Sequence, residues 1–159
     1  MDKRIDIIAT VIKMNGTIYD LTEIEHAYAP PFSSAKDPVN IAGYVAENIL
    51  TDKVKVISWK ELQESDPAET QLLDVRTTGE YESGTIKNAH NIPVDELRNR
   101  MSEINELTEI AREKNKKIVV FCRIGLRAYL AYRILVQNGF ENVFNLSGGY
   151  LTFSTALSI

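Results

Sequence analysis

The chain has 159 residues, of which 44% are hydrophobic and 25% are charged, and its formal net charge is −4. This composition is typical of a soluble protein with one ordinary domain, or one small domain with an appendage. No apolar run approaches the ~20 residues that span a bilayer, and the first residues lack the pattern of a secretory signal. No basic stripe follows any predicted element. We therefore expect a cytoplasmic protein whose partners include neither nucleic acid nor a membrane.

The residues that could bind a metal or a nucleotide are few. Cys122 is the single cysteine, so a disulfide within the chain is impossible, and His26 and His90 are the only histidines. This set argues against a structural zinc site. The glycines form neither a G-x-G-x-x-G pattern nor a Walker A loop. We expect this chain to bind no metal and no cofactor of its own.

The first fifty residues predict helices joined by an irregular segment. Apolar residues recur at helical spacing at Ile5, Ile8, Ala9 and Ile12. Because isoleucine also favours strands, a strand is the competing prediction there. Thr17–Asp20 has the form of a capping box, and Asp37-Pro38 predicts a helix that runs to about Leu50. A segment this small buries little core. We therefore expect residues 1–50 to be part of a larger domain or to pack on something else.

From Val54 onwards, β-rich apolar runs alternate with helical patterns. The predicted strands are Val54–Ile57, Leu72–Val75, Ala89–Ile92, Ile118–Phe121 and Val143–Leu146. The predicted helices lie near Trp59–Glu64, Glu80–Ser83, Val94–Glu113 and Leu126–Asn138. Alternation of this kind predicts an α/β fold in three layers, with a mainly parallel five-stranded sheet covered by helices on both faces. We place this domain at residues 54–159.

One segment of the α/β part carries candidate chemistry. Cys122 follows a buried strand and precedes a helix, where ligands bind in open parallel sheets. The residues expected to surround its sulfur are Arg123, Ile124, Gly125, Leu126 and Arg127. Gly125 permits tight curvature, so the backbone amides can point inward, and the two arginines add positive charge. Such a cradle favours the thiolate, which is the nucleophilic form of cysteine.

Each of these residues also has a plainer interpretation. Cys122 could be a small buried apolar residue, although the order strand, cysteine, glycine, arginine, helix favours a reactive thiol. Arg123 and Arg127 could be solvated surface charges. Asp74 and Arg76 end a neighbouring predicted strand at the same sheet edge. They either support the cysteine loop or form an ordinary ion pair, and the second role is the more common one for buried pairs.

Four motifs of this region resemble those of rhodanese-family sulfurtransferases. They are Leu72–Arg76 with Glu80-Tyr81 beyond it, Gly84–Pro93, Cys122–Arg127 and Asn145–Gly149. The four motifs occur in the same order as in that family and together cover about residues 54–159. The sequence departs from the family at Thr85, where His is frequent, and at Asn88, where Gly is frequent. His90 falls at a variable position of the same motif, and we expect it to be structural.

The resemblance implies a rhodanese-like fold in which Cys122 carries sulfane sulfur as a persulfide. A small anionic donor and a thiol acceptor, CoA persulfide among the candidates, would be its partners. The rival interpretation from another class is a catalytically silent rhodanese-fold module used for regulation or docking. Related cysteine phosphatases have a loop one residue longer, so the spacing from Cys122 to Arg127 resembles the sulfur-transfer type.

The start of the chain resembles a second family. Ala27–Asn40 and Asp2–Asp6 are similar to the C-terminal dimerisation domain of pyridine nucleotide-disulfide oxidoreductases, in the CoA-disulfide reductase and NADH oxidase branch. Some members of that branch carry a rhodanese domain after this point. The resemblance implies that residues 1–50 are the end of such a dimerisation domain and form a homodimer. FAD and NAD(P)H would then bind only to domains upstream of this chain.

Overall fold

The computed structural model describes residues 2–32, 35–104, 106–107 and 117–157. The chain divides into two compact units, Met1–Lys53 and Val54–Ile159. Within the described residues, no helix is long and apolar enough to cross a membrane.

The first unit consists of three helices. They are α1 (Asp2–Lys13), α2 (Ile18–Glu23) and α3 (Pro38–Leu50). The isoleucine-rich run is helical, so the competing strand prediction is wrong. Thr17 and Asp37 begin α2 and α3 with the predicted capping geometry. Asn40 joins these two helices by donating from Nδ2 to the carbonyl oxygens of Leu21 and Ile24, at 3.0 and 2.9 Å.

The second unit is a parallel sheet with helices on both faces. Its strands are β1 (Val56–Ile57), β2 (Thr70–Asp74), β3 (His90–Asn91), β4 (Lys117–Phe121) and β5 (Val143–Leu146). The labelled helices are α4 (Trp59–Glu64), α5 (Thr78–Glu82), α6 (Leu126–Gln137) and α7 (Gly149–Leu157). The strand order is β1-β5-β4-β2-β3, and every pairing is parallel. The predicted α/β class and five-stranded sheet are confirmed.

Two helix predictions need correction. Residues 94–100 form turns, and helix appears only at 101–104 and 106–107, while 108–113 lie outside the described residues. Val94 donates to the carbonyl of Val75, which holds this segment against the end of β2. The following bonds run over three residues, from Glu96 to Pro93 and from Leu97 to Val94, so a regular α-helix does not form here. Helix α7 was not predicted from the sequence; it begins at Gly149, and both Gly148 and Gly149 have positive φ.

The alternation of β4 places Cys122 on one face of the sheet. Ile118, Val120 and Cys122 pack into the core on the α6 side, and Val119 and Phe121 pack into the core on the opposite face. All five residues are almost fully buried. Because the strands are parallel, their carboxyl ends lie along one edge, and the chain leaves the central strand β4 at Cys122.

Candidate functional site around Cys122

Cys122 occupies a buried position at the carboxyl edge of the sheet. Its relative exposure is 1%. The carbonyl of Phe121, the last residue of β4, accepts from the N–H of Val75 at 3.0 Å, so the point at which the loop begins is bound to the neighbouring chain segment. This bond fixes the backbone just before Cys122, at the point where the loop starts to curve around the thiol.

The loop bends back so that an amide faces the sulfur. The N–H of Gly125 donates to Sγ of Cys122 at 3.2 Å. Gly125 has φ +123, in the region that favours glycine, which explains why the loop needs this residue type here. Gly125 is also the N-cap of α6 and has no side chain with which to cap it. The first-turn amides of α6 therefore remain suited to an anion held in the loop.

The start of α7 fixes the outer backbone of the loop. Tyr150 and Leu151 donate their N–H groups to the carbonyls of Cys122 and Arg123, at 2.8 and 3.0 Å. A Cβ on Gly149 would lie 2.5 Å from the Cys122 carbonyl oxygen, so only glycine permits this approach. Asn145 of β5 adds a bond from Nδ2 to the carbonyl oxygen of Gly125, at 3.3 Å. The Asn145–Gly149 motif thus supports the Cys122–Arg127 loop directly.

Arg127 is paired with a carboxylate at the site. Its Nη1 and Nη2 donate to Oε2 and Oε1 of Glu80, at 2.6 and 2.8 Å. Glu80 also accepts from the N–H and hydroxyl of Thr77 at the start of α5. The guanidinium of Arg127, followed by the bonds from Thr77, lowers the pKa of Glu80 to about 2. Glu80 first, and then Cys122, raise the pKa of Arg127. A fixed cation therefore lies near the thiol.

The other loop side chains are more open. Arg123 is exposed, and the apolar side chains of Ile124 and Leu126 are 64% and 68% exposed. The loop thus presents the exposed cation of Arg123 and two exposed apolar groups, together with the Gly125 amide that faces the sulfur. Its positive charge is smaller than the sequence implied, because Arg127 is paired with Glu80.

Asp74 and Arg76 form a buried ion pair that contacts Tyr150, one of the α7 residues that hold the loop. Arg76 donates from Nε and Nη2 to both carboxylate oxygens of Asp74, at 2.7–3.1 Å. Its Nη2 also donates to the Gly84 carbonyl at 2.7 Å. The guanidinium carbon lies 4.3 Å from the ring centroid of Tyr150, whose amide binds the Cys122 carbonyl. The bonds of this pair therefore stabilise the structure around the end of β2. Arg76 also contacts Tyr150, which shapes the loop.

The departures from the family pattern have local explanations. The Thr85 hydroxyl donates to Oδ2 of Asp74 at 2.7 Å, so this position still serves the buried ion pair. Asn88 has φ +66, a left-handed conformation that asparagine tolerates better than most residues other than glycine. His90 begins β3 and is exposed.

Several residues that shape this site have no role that could be predicted from the sequence. They are Glu80, Asn145, Gly149 and Tyr150. Thr77-x-x-Glu80 has the pattern of a capping box, and that pattern was the available signal for Glu80. Its partner Arg127 lies 47 residues away, and local spacing gives no indication of such a pair. Within the described residues, no group of three or more His, Cys, Asp or Glu could hold a metal ion.

The profile of the rhodanese-like domain family matches residues 58–156. The chain belongs to the rhodanese-like domain family. Among curated proteins, this rhodanese-like chain is 30% identical over 118 residues to a tRNA uridine(34) hydroxylase of Pectobacterium carotovorum subsp. carotovorum (strain PC1). The aligned part covers 74% of this chain and 31% of that protein, so the chain spans about a third of the length of the curated relatives it matches.

Two solved structures resemble nearly the whole rhodanese-like chain. Reduced Bacillus anthracis CoADR-RHD is 43% identical, with a TM-score of 0.88 over 99% of this chain and 27% of that one. An NAD-dependent persulfide reductase from A. fulgidus is 38% identical, with a TM-score of 0.76 over 94% of this chain and 25% of that one. Matches of this extent include residues of both compact units.

Proposed function

We propose that Cys122 accepts sulfane sulfur and carries it as a persulfide. The observation on which the proposal depends is the bond from the Gly125 amide to the Cys122 sulfur, at 3.2 Å, within a loop fixed by α7. A persulfide places a second, anionic sulfur beyond the first. Backbone N–H groups and the start of α6 stabilise such an anion without themselves reacting.

The proposed reaction has two balanced half-reactions. The Cys122 thiolate attacks the outer sulfur of the donor and forms a new S–S bond. The old S–S bond breaks, and its electron pair leaves with the donor remnant, which is sulfite from thiosulfate or a thiolate from an organic persulfide. An acceptor thiolate then attacks the outer sulfur on Cys122 and takes it away, which regenerates the Cys122 thiolate. A single cysteine is sufficient for this cycle.

The loop geometry also favours sulfur transfer over phosphoryl chemistry. Cys122 to Arg127 is a loop of six residues, and its backbone is bound at Cys122, Arg123 and Gly125 by α7 and β5. A tetrahedral phosphoryl group needs more room than one sulfur atom. We therefore expect no phosphatase activity.

Intact mass tests the proposal directly. The chain is incubated with thiosulfate, a polysulfide, glutathione persulfide or CoA persulfide, and we expect one of them to add about 32 Da, the mass of one sulfur atom. Addition of a thiol should then remove this mass. Cys122→Ser keeps nearly the same volume but cannot form a persulfide, so it should gain no mass with any donor. A folded wild-type chain that gains no sulfur from any donor would instead be the silent module.

We further propose that this domain acts within a flavin-dependent CoA-disulfide or CoA-persulfide reductase. Similarity to CoADR-RHD over 99% of the chain supports this, because the first unit is included. FAD and NAD(P)H would bind upstream domains, residues 1–50 would form the homodimer contact, and the enzyme would be cytoplasmic. Persulfide on Cys122 would then supply sulfur to the flavin site for reduction. CoA persulfide should accordingly load Cys122 faster than thiosulfate does, and equal rates would contradict this assignment.

A further inference from the structure

The Glu80–Arg127 pair lies at the cysteine loop and is not needed to form a persulfide. The two side chains are 32% and 33% exposed, so both reach the surface beside the loop. Arg127 uses one N–H of Nη1 and one of Nη2 for Glu80, so its guanidinium has further N–H groups that this pair does not use. The carboxylate of Glu80 also accepts hydrogen bonds from the N–H and hydroxyl of Thr77, both at 3.1 Å. The carboxylate is therefore held in place and is not a mobile surface charge.

This arrangement has an electrostatic cost for a strongly anionic ligand. A carboxylate that touches Arg127 offsets its charge, so an incoming ligand meets a net charge near zero from this pair. Arg123, which is exposed, then supplies most of the positive charge. An ion with two negative charges is repelled by Glu80 about twice as strongly as an ion with one. The same loop exposes Ile124 and Leu126, whose apolar surface suits an organic group better than a hydrated inorganic dianion.

We infer that Glu80 is a specificity-determining residue that makes the Cys122 loop select reagents whose reacting end carries little negative charge, which favours organic persulfides over thiosulfate. This inference rests on the proposed sulfur transfer for its biological meaning, although the charge selectivity itself can be measured without it. Glu80 acts through Arg127 and does not touch the reacting sulfur. It is therefore a positioning residue and not a catalytic one.

The variant Glu80→Gln separates the effect of the negative charge from any effect on the fold. Glutamine can occupy the same place in a capping box and still accept one bond from Arg127, so the start of α5 is retained while one negative charge is lost. Glu80→Asp is the conservative rescue, because it keeps the charge on a shorter side chain. Glu61→Gln is the matched control, since Glu61 performs the same capping role in α4, where its carboxylate accepts from the Ser58 N–H at 2.8 Å.

The test compares alkylation of Cys122 by iodoacetate, an anion, and iodoacetamide, a neutral molecule of nearly the same size. In both reactions the thiolate forms a C–S bond and iodide leaves. Cys122 is the only cysteine, so the full chain reports one site. The same thiolate attacks both reagents, and the ratio of their rate constants is therefore independent of how much thiolate is present. It reports only the charge that the reagent meets.

We expect Glu80→Gln to raise the ratio of iodoacetate to iodoacetamide rate constants about fivefold at low ionic strength. This increase should shrink in high salt, because screening weakens exposed charges. In Glu80→Asp the ratio should be close to the wild-type value, and in Glu61→Gln the ratio should be unchanged. An unchanged ratio in Glu80→Gln, or an increase that salt does not reduce, would overturn the inference.

Sulfur loading gives the second arm of the experiment. Thiosulfate is compared with the persulfide of an uncharged thiol such as N-acetylcysteamine, and Glu80→Gln should shift the loading rates about fivefold towards thiosulfate. A wild-type chain that loads from neither donor would refute the proposed sulfur transfer alone. In that case the alkylation ratio still decides whether Glu80 sets the charge selectivity of the loop.

Discussion

The carboxylate of Glu80 connects the acid stability of the chain to its candidate site. Its pKa is lowered to about 2, from an ordinary value of 4.5, mainly by Arg127. A carboxylate with a lowered pKa in the folded state stabilises the fold above its unfolded pKa, and this contribution is lost as pH falls through the folded pKa. The stabilisation by Glu80 is therefore lost as the pH falls from about 4.5 to about 2.

Glu80→Gln should destabilise the chain by about 1 kcal/mol near neutral pH, a modest amount because solvent screens a pair that is one-third exposed. Below pH 4.5 the wild type should lose this advantage, and the two proteins should converge. Urea denaturation of both proteins from pH 7 to the lowest pH at which they fold measures this difference. A constant difference across the range would show that the ion pair is not its source.

Arg127→Ala should reduce the use of anionic sulfur donors more than it reduces stability. It removes the cation that neutralises Glu80 and leaves that carboxylate bound only by Thr77, so the site becomes repulsive to anions. We expect the apparent affinity for thiosulfate to fall at least tenfold, and the melting temperature to change by a few degrees at most. Rates measured over a range of thiosulfate concentrations test this, and an unchanged concentration dependence would contradict it.

Local sequence carries enough information to identify Cys122 and the curvature at Gly125. A buried strand, a cysteine, a glycine and a helix follow one another directly, and each step has a local physical cause. The pairing of Arg127 with Glu80 could not be predicted in this way, since it depends on how α5, which holds Glu80, lies beside α6. From the sequence, Arg127 was therefore predicted to bind a ligand, without any indication of its partner Glu80.

Helix α7 contributes to the site through its backbone, and one glycine makes this possible. Gly149→Ala would place a methyl group 2.5 Å from the Cys122 carbonyl and 2.7 Å from that of Arg123, at a residue with φ +60. Since both obstacles are backbone atoms, the loop itself must move. We expect a loss of about 3 kcal/mol in the free energy of unfolding, together with loss of sulfur loading.

Gly79→Ala is the control for that substitution. A Cβ at Gly79 meets no atom within 4 Å, and this residue lies inside α5. Alanine there should leave stability unchanged or raise it by up to about 1 kcal/mol. Thermal melts and mass after donor treatment compare the two variants. Normal loading by Gly149→Ala would show that α7 does not shape the loop.

The buried pair at the end of β2 should be far more sensitive than the surface pairs. Arg76→Ala leaves the carboxylate of Asp74 buried without its main partner, which costs about 3–5 kcal/mol. Arg100→Ala removes contacts to Glu96 and Glu103 at the surface, at 2.9 and 2.8 Å, and should cost less than about 1 kcal/mol. Denaturation curves for the two variants make the comparison. Similar costs would contradict a structural role for Arg76.

At the level of elements, prediction from the sequence succeeded where side-chain periodicity and caps agree. The predicted strand Val143–Leu146 and helix Trp59–Glu64 match the structure residue for residue. It failed at 94–100, where a tertiary bond from Val94 to the end of β2 competes with local helix formation. It also missed α7, whose first residue Gly149 is required by the approach to the loop and not by helix propensity.

The two compact units should differ in stability when the chain is studied by itself. The helices of the first unit expose apolar side chains at Ile5, Ile12, Ile41, Val45 and Leu50. Exposed apolar surface is costly, at ~25 cal/mol per Å², and such faces tend to find partners. We expect the chain to self-associate through residues 1–50, and α1 to α3 to exchange amide hydrogens faster than β4 does.

Sedimentation and hydrogen exchange test this expectation together. Ile5→Asp combined with Ile12→Asp places charges on the exposed side of α1 and should weaken self-association, while sulfur loading on Cys122 should be unchanged. A strict monomer whose first fifty residues are as well protected as the parallel sheet would refute the prediction.

The strand order has a consequence for the time at which this protein becomes chemically competent. Edge strand β1 pairs with β5, and β5 lies between β1 and the central strand β4. During synthesis, β1, the first strand made, therefore cannot pair within the sheet until β5, the last strand made, is available. Cys122 likewise leaves the ribosome before Tyr150 and Leu151, whose amides hold its loop. A nascent chain thus contains the thiol before α7 can hold its loop, so the proposed sulfur transfer would begin only after α7 has been made.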